Sequence, residues 1–499
     1  MGGGEQRPLR IALLSYRSKP HSGGQGIYVR HLSRELAALG HDVTVFSGQP
    51  YPELDRLGDG VRLRKVPSLD LYREPDPFRV PRPREYRDGI DVLEVATMFT
   101  GGFGEPLTFS LRVARLLREL DRAGERFDIV HDNQTLGYGL LDVQRRWPMV
   151  TTIHHPISRD LRTDLAAARG WRRLSLRRWY GFVRMQGRVA RRLQRVLTVS
   201  VSSARDIATD FRVRPEAVSV VPLGVDTTVF APRERARVEG RVVAMASADT
   251  PLKGVDTLLA AVAQTPAVRE LVLVATPGPR TRRLLAQLRL GDRVRFVAGI
   301  SDAELADLVA SAQVACVPSR YEGFSLPAVE ALACGTPVVA SRAGALPEVL
   351  GEDGSCAQLV PPADAAALRD ALQALLTDPA RRESSSRAGR ARALQRYSWP
   401  AVARATVAAY RAAISARQDE RGLAPAAALV GLGPEPVAAP PEPVTGRTPR
   451  SEPPQPTEAA QPTEAAQPTE AAQPAQPTEP AQPSDPSDPS ERSALRAHR

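Results

Sequence analysis

Residues 314–341 read VACVPSRYEGFSLPAVEALACGTPVVAS, and this stretch carries the pattern that decides the fold. The apolar run over Val314–Pro318 predicts a buried strand, Pro327–Ala333 predicts a helix, and Pro337–Ser341 predicts a second strand. Near-continuous apolar strands that alternate with helices are typical of parallel sheets covered on both faces. We therefore expect an α/β protein.

The same alternation continues along the chain in two series. The first series of strand-like runs covers Arg10–Tyr16, Asp42–Ser47, Val61–Pro67, Asp128–Asp132, Val150–His154, Arg195–Ser200 and Val218–Leu223. The second covers Arg241–Ala246, Leu271–Ala275, Val294–Val297, Val314–Pro318, Pro337–Ser341 and Ala357–Val360. Because so many strands exceed one open sheet, we predict two facing doubly wound, Rossmann-like domains joined within Thr227–Gly240.

The expected limits are residues 1–228 for the first domain and 236–397 for the second. A final helix over 398–418 is expected to pack back on the first domain. The tail, residues 420–499, repeats QPTEAA from Gln455 to Ala472 and has almost no bulky apolar side chains, which predicts disorder. An inert linker and a partner-binding strip both fit this composition.

The composition excludes several classes of protein. The chain has 499 residues, a formal net charge of +11 and three cysteines, too few for a disulfide scaffold. It has neither an apolar run long enough to span a membrane nor a signal-like N-terminus. We therefore expect a location in the cytoplasm, either free or at the inner face of the plasma membrane. Of its 67 basic residues only Lys19, Lys65 and Lys253 are lysines, so a lysine is more informative here than an arginine.

Two carboxylates stand on one predicted loop and helix. Glu322 follows a strand, and Glu330 lies eight residues later in the next helix. Two such carboxylates can accept hydrogen bonds from the vicinal hydroxyls of a sugar, and the backbone amides of the segment 323–326 can meet phosphate oxygens. An exposed Glu and an unrelated helix-face Glu remain the alternative.

Two further segments have the composition of phosphate-binding loops. Gly23 and Gly24 lie between a strand and a helix, where backbone amides can approach an anion. The dinucleotide-binding pattern G-x-G-x-x-G fails there, because its third glycine position is Val29. Lys253 precedes a helix and can meet a phosphate at the helix N-terminus. A plain glycine turn and a solvated lysine remain open.

The segment Glu322–Glu330 resembles the E-x7-E motif of retaining glycosyltransferases with the GT-B architecture, above all glycosyltransferase family 4 (glycosyl transferases group 1). The resemblance extends to about residue 415. Its other matches are Gly23–Gly24, Thr152–His154, Pro222–Asp226, Lys253–Gly254, Pro318–Ser319 and Gly335–Val339.

The resemblance implies a role for each matching residue. Glu322 would contact the donor sugar near the reacting carbon, Glu330 would hold the nucleotide ribose, and Lys253 would stabilise the departing diphosphate. His154 would lie beside the transferred sugar. The remaining donor contacts would come from Gly23, Gly24, Gly323, Phe324, Ser325 and Leu326. The family usually has an arginine near position 248, where this chain has Ala248, so either Arg320 supplies the second cation or phosphate binding is weaker.

The implied reaction is transfer of a hexose, with retention, from a UDP- or GDP-linked sugar to an acceptor hydroxyl on a sugar, a small molecule or a lipid-linked cell-envelope precursor. We expect no metal and no other cofactor, because D-x-D-like spacing is confined to the tail repeats. A nucleotide-sugar epimerase, a phosphorylase and a non-catalytic binding scaffold on the same fold are the alternatives.

The acceptor is expected on the first domain, where His131, Asn133 and His155 end predicted strands and either contact the acceptor or have a structural role. One predicted helix, Leu174–Leu193, is strongly basic. Four of its arginines and the one that follows the helix lie on one side: Arg177, Arg184, Arg188, Arg191 and Arg195. This side is either solvated or in contact with anionic lipid. No nucleic-acid motif accompanies the charge, and we expect no nucleic-acid partner.

Overall fold

The computed structural model describes residues 7–18, 24–55, 60–73, 76, 78–246 and 249–420. Within them the first half of the chain forms a seven-stranded parallel sheet with the strand order β3-β2-β1-β4-β5-β6-β7. These strands are β1 (Arg10–Ser15), β2 (Asp42–Ser47), β3 (Val61–Lys65), β4 (Ile129–Asn133), β5 (Met149–Ile153), β6 (Val196–Thr198) and β7 (Val218–Val220). The helices are α1 (Gly24–Ala38), α2 (Gly89–Phe99), α3 (Glu105–Arg122), α4 (Gly139–Arg146), α5 (Ser158–Ala167), α6 (Gly170–Trp179), α7 (Gly181–Ala190) and α8 (Val201–Phe211).

The second half forms a six-stranded parallel sheet with the order β10-β9-β8-β11-β12-β13. These strands are β8 (Val238–Met245), β9 (Glu270–Val274), β10 (Val294–Val297), β11 (Ala312–Val317), β12 (Val338–Ser341) and β13 (Ala357–Val360). The helices are α9 (Val255–Ala263), α10 (Pro279–Leu288), α11 (Asp302–Ser311), α12 (Leu326–Ala333), α13 (Leu346–Leu350), α14 (Ala365–Thr377), α15 (Pro379–Arg392) and α16 (Trp399–Glu420).

Each sheet has a hydrophobic core on both faces, which is why its central strands are mostly buried and rich in apolar residues. In the first sheet Leu13 packs toward α1 and α16, whereas its neighbour Leu14 packs toward α3 and α7. In the second sheet the neighbours Val243 and Val242 likewise point to opposite faces, and each belongs to a separate hydrophobic core. The prediction of two doubly wound, GT-B-like sheets is confirmed.

The chain crosses between the sheets at two adjacent points. The first crossing lies between β7 and β8, and the second lies between α15 and α16, where Val225 N donates to Tyr397 O at 2.7 Å. Gly224 is required at the first crossing, because a Cβ there would lie 2.4 Å from the Trp399 ring. Helix α16 then packs on the first sheet, with Tyr410 buried in its core.

The prediction of one basic helix is corrected by the structure, and the prediction for the C-terminal tail concerns residues that the structure does not describe. The single basic helix predicted over Leu174–Leu193 is two helices, α6 and α7, because the chain turns at Tyr180 before Gly181 starts the second. Arg177 therefore lies on α6, and Arg184 lies on α7. The tail from residue 421, for which disorder was expected, is outside the described residues.

Candidate active site

The candidate site lies at the switch point of the second sheet. Strands β8 and β11 are neighbours there, but their chain connections run in opposite directions across the sheet, so the loops that follow them diverge and leave a crevice. Lys253 follows β8 in a single 3₁₀ turn, and Glu322 follows β11. Their side chains meet, with Lys253 Nζ 2.9 Å from Glu322 Oε1. The strand order thus brings together two residues that are 69 positions apart.

Glu322 is held from several directions. Ser319 Oγ donates to the same Oε1 at 2.7 Å, and the backbone oxygen of Glu322 accepts from Ala345 N at 2.9 Å. The residue is only 8% exposed, whereas the Lys253 side chain is 31% exposed. Because an ammonium has three N–H donors, Lys253 retains donors for a ligand after pairing with Glu322.

Gly254 allows the two loops to approach each other. Its φ is +65°, and a Cβ there would lie 2.1 Å from the backbone oxygen of Pro318. Any other residue at this position would push the Lys253 turn away from the segment that carries Ser319 and Glu322. The glycine that follows Lys253 in the sequence is therefore part of the site.

The four backbone amides of the loop from Gly323 to Leu326 have no acceptor among the described residues. Ser325 has a φ of +94°, a strained value for a residue with a side chain, and its Oγ accepts from Ala328 N at the start of α12. The ring of Phe324 is buried against Tyr397. Unpaired amides at a helix N-terminus are suited to phosphate.

Glu330 lies on α12, one helix turn beyond that loop. It is half-buried, and burial, with a smaller contribution from Asp302, raises the pKa of its carboxyl group to about 7. Among the described residues no side chain forms a hydrogen bond or ion pair with its carboxylate. A half-buried carboxylate without a protein partner is costly unless a ligand supplies the donors.

Arg320 does not lie free beside Lys253. Its Nη2 is 3.0 and 3.1 Å from the two oxygens of Asp256, which also pairs with Arg280 at 3.1 Å. Since two arginines share one aspartate, the cluster keeps a net positive charge. Two of the other predicted positions, Gly23 and Ala248, are outside the described residues, and Gly24 is the first residue of α1.

His154 follows β5 in the first sheet. Its Nε2 is 2.8 Å from Asn133 Oδ1, and its backbone N donates to Gln134 Oε1 at 2.7 Å. Burial lowers the pKa of His154 to about 3, so the ring is neutral at neutral pH. Because an amide oxygen only accepts, Nε2 carries the proton and Nδ1 is left as an acceptor for a hydroxyl. His155, the next residue, is exposed.

His131, predicted as an acceptor ligand, is instead a buried packing residue. It has no exposed surface, and its two ring nitrogens lie 2.7 Å from Tyr410 Oη and 2.7 Å from Thr152 Oγ1. Both of its hydrogen-bonding positions are used within the fold. It ties α16 to β4 and β5, and a sugar could reach it only by displacing one of these partners.

Three residues around the Gly323–Leu326 loop and the start of α8 were not predicted from the sequence. Ser200, Ser203 and Glu348 all form hydrogen bonds around Gly323 or the start of α8. A serine directly after the β6 strand signals a helix N-cap. That signal predicts the start of α8, but it does not predict a contact with a residue more than 100 positions away.

Family models match both halves of the chain. The model described as Glycosyltransferase Family 4 matches residues 22–229, and the model described as Glycosyl transferases group 1 matches residues 227–392. Together they span residues 22–392, which leaves out β1 at one end and α16 at the other.

Individual relatives agree with the family models. The chain is 59% identical over 414 residues to an MMP α-(1→4)-mannosyltransferase of Mycolicibacterium hassiacum, covering 82% of this chain and 99% of that protein. Sucrose-phosphate synthase of Thermosynechococcus elongatus has a TM-score of 0.58 at 25% identity, covering 82% of this chain and 100% of the other. Anabaena HepE, solved with UDP, has the same fold at a TM-score of 0.57 and 18% identity, covering 81% and 100%.

Proposed function

The chain belongs to the family 4 (group 1) glycosyltransferases, and from that premise we propose that it moves a mannosyl residue from a nucleoside diphosphate mannose to a sugar hydroxyl, with retention. One observation carries the assignment of the site. The Lys253–Glu322 pair, four unpaired loop amides and the unpartnered Glu330 follow two neighbouring strands. Lys253 and the loop amides match a diphosphate, Glu322 matches a hexose, and Glu330 matches a ribose.

Mannose is favoured by the relative at 59% identity, whose name gives an α-(1→4) mannosyl linkage. Nucleoside diphosphate mannoses carry the sugar in α linkage, so an α product requires retention of configuration. We therefore propose a GDP- or UDP-linked mannose as donor and the 4-hydroxyl of a sugar as acceptor.

The chemistry assigned to the chain is electrostatic. The bond between the anomeric carbon and the phosphate oxygen breaks, and its electron pair goes to the diphosphate, where Lys253 and the amides of 323–326 stabilise the growing charge. The acceptor oxygen bonds to the same face of the sugar, and its proton passes to the departing phosphate oxygen. Glu322 would accept hydrogen bonds from sugar hydroxyls, and His154 Nδ1 would accept one more.

The test is a transfer assay with purified protein, GDP-mannose, UDP-mannose and short mannosides. We expect an acceptor-linked α-mannoside, identified by the anomeric coupling in the NMR spectrum, and an unchanged rate in the presence of EDTA. A β product would refute retention, and loss of activity with EDTA would refute metal independence. Formation of an epimerised nucleotide sugar would support the epimerase alternative, and release of a sugar phosphate would support the phosphorylase alternative. Binding of the donor without any product would support the binding scaffold.

A contact with anionic lipid is the remaining part of the proposal. No helix in the described part of the chain is both long and apolar enough to cross a bilayer. On α6, however, Trp171 is 80% and Leu174 53% exposed, next to the exposed Arg173 and Arg177. Apolar side chains among arginines suit the surface of an anionic membrane, at about 1 kcal/mol per arginine.

Flotation with phosphatidylglycerol vesicles measures this contact. We expect wild-type protein to float with the vesicles at low salt, and Arg173→Ala/Arg177→Ala to float at least about fivefold less. Arg212→Ala/Arg214→Ala, which removes two exposed arginines elsewhere on the first half, should behave as wild type. Equal flotation of both double variants would rule out α6 as the contact surface.

A further inference from the structure

The start of helix α8, in the first half of the chain, contacts the donor loop of the second half. Ser200 Oγ donates to Gly323 O at 2.6 Å, and Ser203 Oγ donates to the same oxygen at 3.0 Å. Ser200 is also the N-cap of α8, because its Oγ accepts from Ser203 N at 2.9 Å. Both serines are fully buried, with exposures of 0% and 1%. We call these two hydrogen bonds the Gly323 contact.

Neighbouring groups keep α8 in this position. Val201 N donates to both carboxylate oxygens of Glu348 on α13, at 2.8 and 3.1 Å. The carboxylate is thus placed at the positive end of α8. One turn further along α8, Asp206 accepts a hydrogen bond from Tyr321 Oη. Three contacts therefore join the first half of the chain to the donor loop and to the helix beside it.

The Gly323 contact fixes the direction of the next amide. The oxygen of Gly323 and the N–H of Phe324 belong to one planar trans peptide, so they point in opposite directions. Because the oxygen points at the two serines on α8, the N–H of Phe324 points away from α8. That N–H is one of the four loop amides that donate to no acceptor within the described residues.

We propose that Ser200 and Ser203 are positioning residues for the donor diphosphate. Through the carbonyl oxygen of Gly323, the first half of the chain orients an amide in the second half, and full affinity for the diphosphate requires α8 to be docked. This inference rests on the proposed function, since it assumes a nucleoside diphosphate sugar as donor. Neither serine touches the donor, so substitution should act on the phosphate contacts alone.

The experiment compares the affinity of the full chain for three ligands by titration calorimetry: the nucleoside, the nucleoside diphosphate and the nucleoside diphosphate sugar. We expect Ser200→Ala/Ser203→Ala to bind the two diphosphate ligands about tenfold more weakly, and the nucleoside within twofold of wild type. Ser203→Ala alone, which leaves the N-cap in place, should lose about threefold on the diphosphates. Ser200→Thr/Ser203→Ala retains the cap and one hydroxyl. It should therefore bind the diphosphate ligands more tightly than Ser200→Ala/Ser203→Ala.

Ser202→Ala is the matched control. It removes the same atom from the same helix turn, and the Ser202 side chain forms no hydrogen bond with a described residue. Thermal unfolding of every variant separates loss of fold from loss of affinity. Unchanged diphosphate affinity in a folded double variant, or an equal loss for nucleoside and diphosphate, would overturn the inference and leave the proposed function standing. Failure of the wild type to bind any diphosphate ligand would instead overturn the proposed function.

Discussion

Lys253→Met is expected to lower kcat by two to three orders of magnitude, while donor binding weakens by roughly tenfold or less. The physical reason is that negative charge on the departing diphosphate is largest in the transition state, and removing one well-placed donor there costs about 100- to 1000-fold. Steady-state kinetics with varied donor, together with a donor titration, measures the two effects separately. A kcat near that of wild type would remove Lys253 from the reaction.

The pairing of Lys253 with Glu322 complicates a single substitution. Without the lysine, a carboxylate that is only 8% exposed keeps Ser319 as its remaining side-chain partner, which is costly. Lys253→Met/Glu322→Gln removes both charges and is the control for this effect. We expect the double variant to regain stability toward unfolding but not kcat. Recovery of kcat in the double variant would mean that the unpaired carboxylate, not the missing cation, caused the loss.

Glu330→Gln is expected to weaken donor binding about 10- to 100-fold and to change kcat little. A carboxylate that accepts two ribose hydroxyls makes charge-assisted hydrogen bonds, each stronger than the bonds of an amide. Glu352→Gln, an exposed glutamate of the same half, is the matched control and should leave the donor Kd unchanged. Donor affinity equal to wild type in Glu330→Gln would remove this residue from the ribose site.

The same residue predicts the pH dependence of donor binding. The pKa of Glu330 is raised to about 7 by burial, so the carboxylate is protonated as the pH falls through 7. Because the donor's hydroxyls need the ionised form, the donor Kd should rise as the pH is lowered from 8 to 6. In Glu330→Gln this part of the pH dependence should be absent, and its persistence would assign the titration to another group.

The strands were predictable because the central strands of each sheet are buried on both faces, so most of them are rich in apolar residues. The apolar segments alone do not determine the order of the strands in the sheet. In that order β8 and β11 are neighbours, which is why Lys253 and Glu322 meet. Single side chains were less predictable. His131 is satisfied by Tyr410, which is 279 positions away, and no local pattern reveals such a partner.

Local sequence patterns did not reveal the side-chain partner of Arg320 or the break in the basic helix. The residue next to Ser319 in sequence was expected to face phosphate, but its side chain extends to Asp256 on α9. The arginines of residues 174–193 are spaced as on one continuous helix, and this spacing continues across Tyr180. The arginine pattern therefore gave no sign that the chain turns there. Gly181 was the visible sign of that break, since glycine is a poor residue for a helix interior.

The two adjacent crossings of the chain have a mechanical consequence. A rotation of one half of the chain relative to the other would pivot near these two connections, at Gly224 and Ser398. Groups close to that pivot scarcely move in such a rotation, whereas distant groups move most. Substitutions near Gly224 should therefore alter how fast the halves reorient, and substitutions at the start of α8 should alter which orientation prevails.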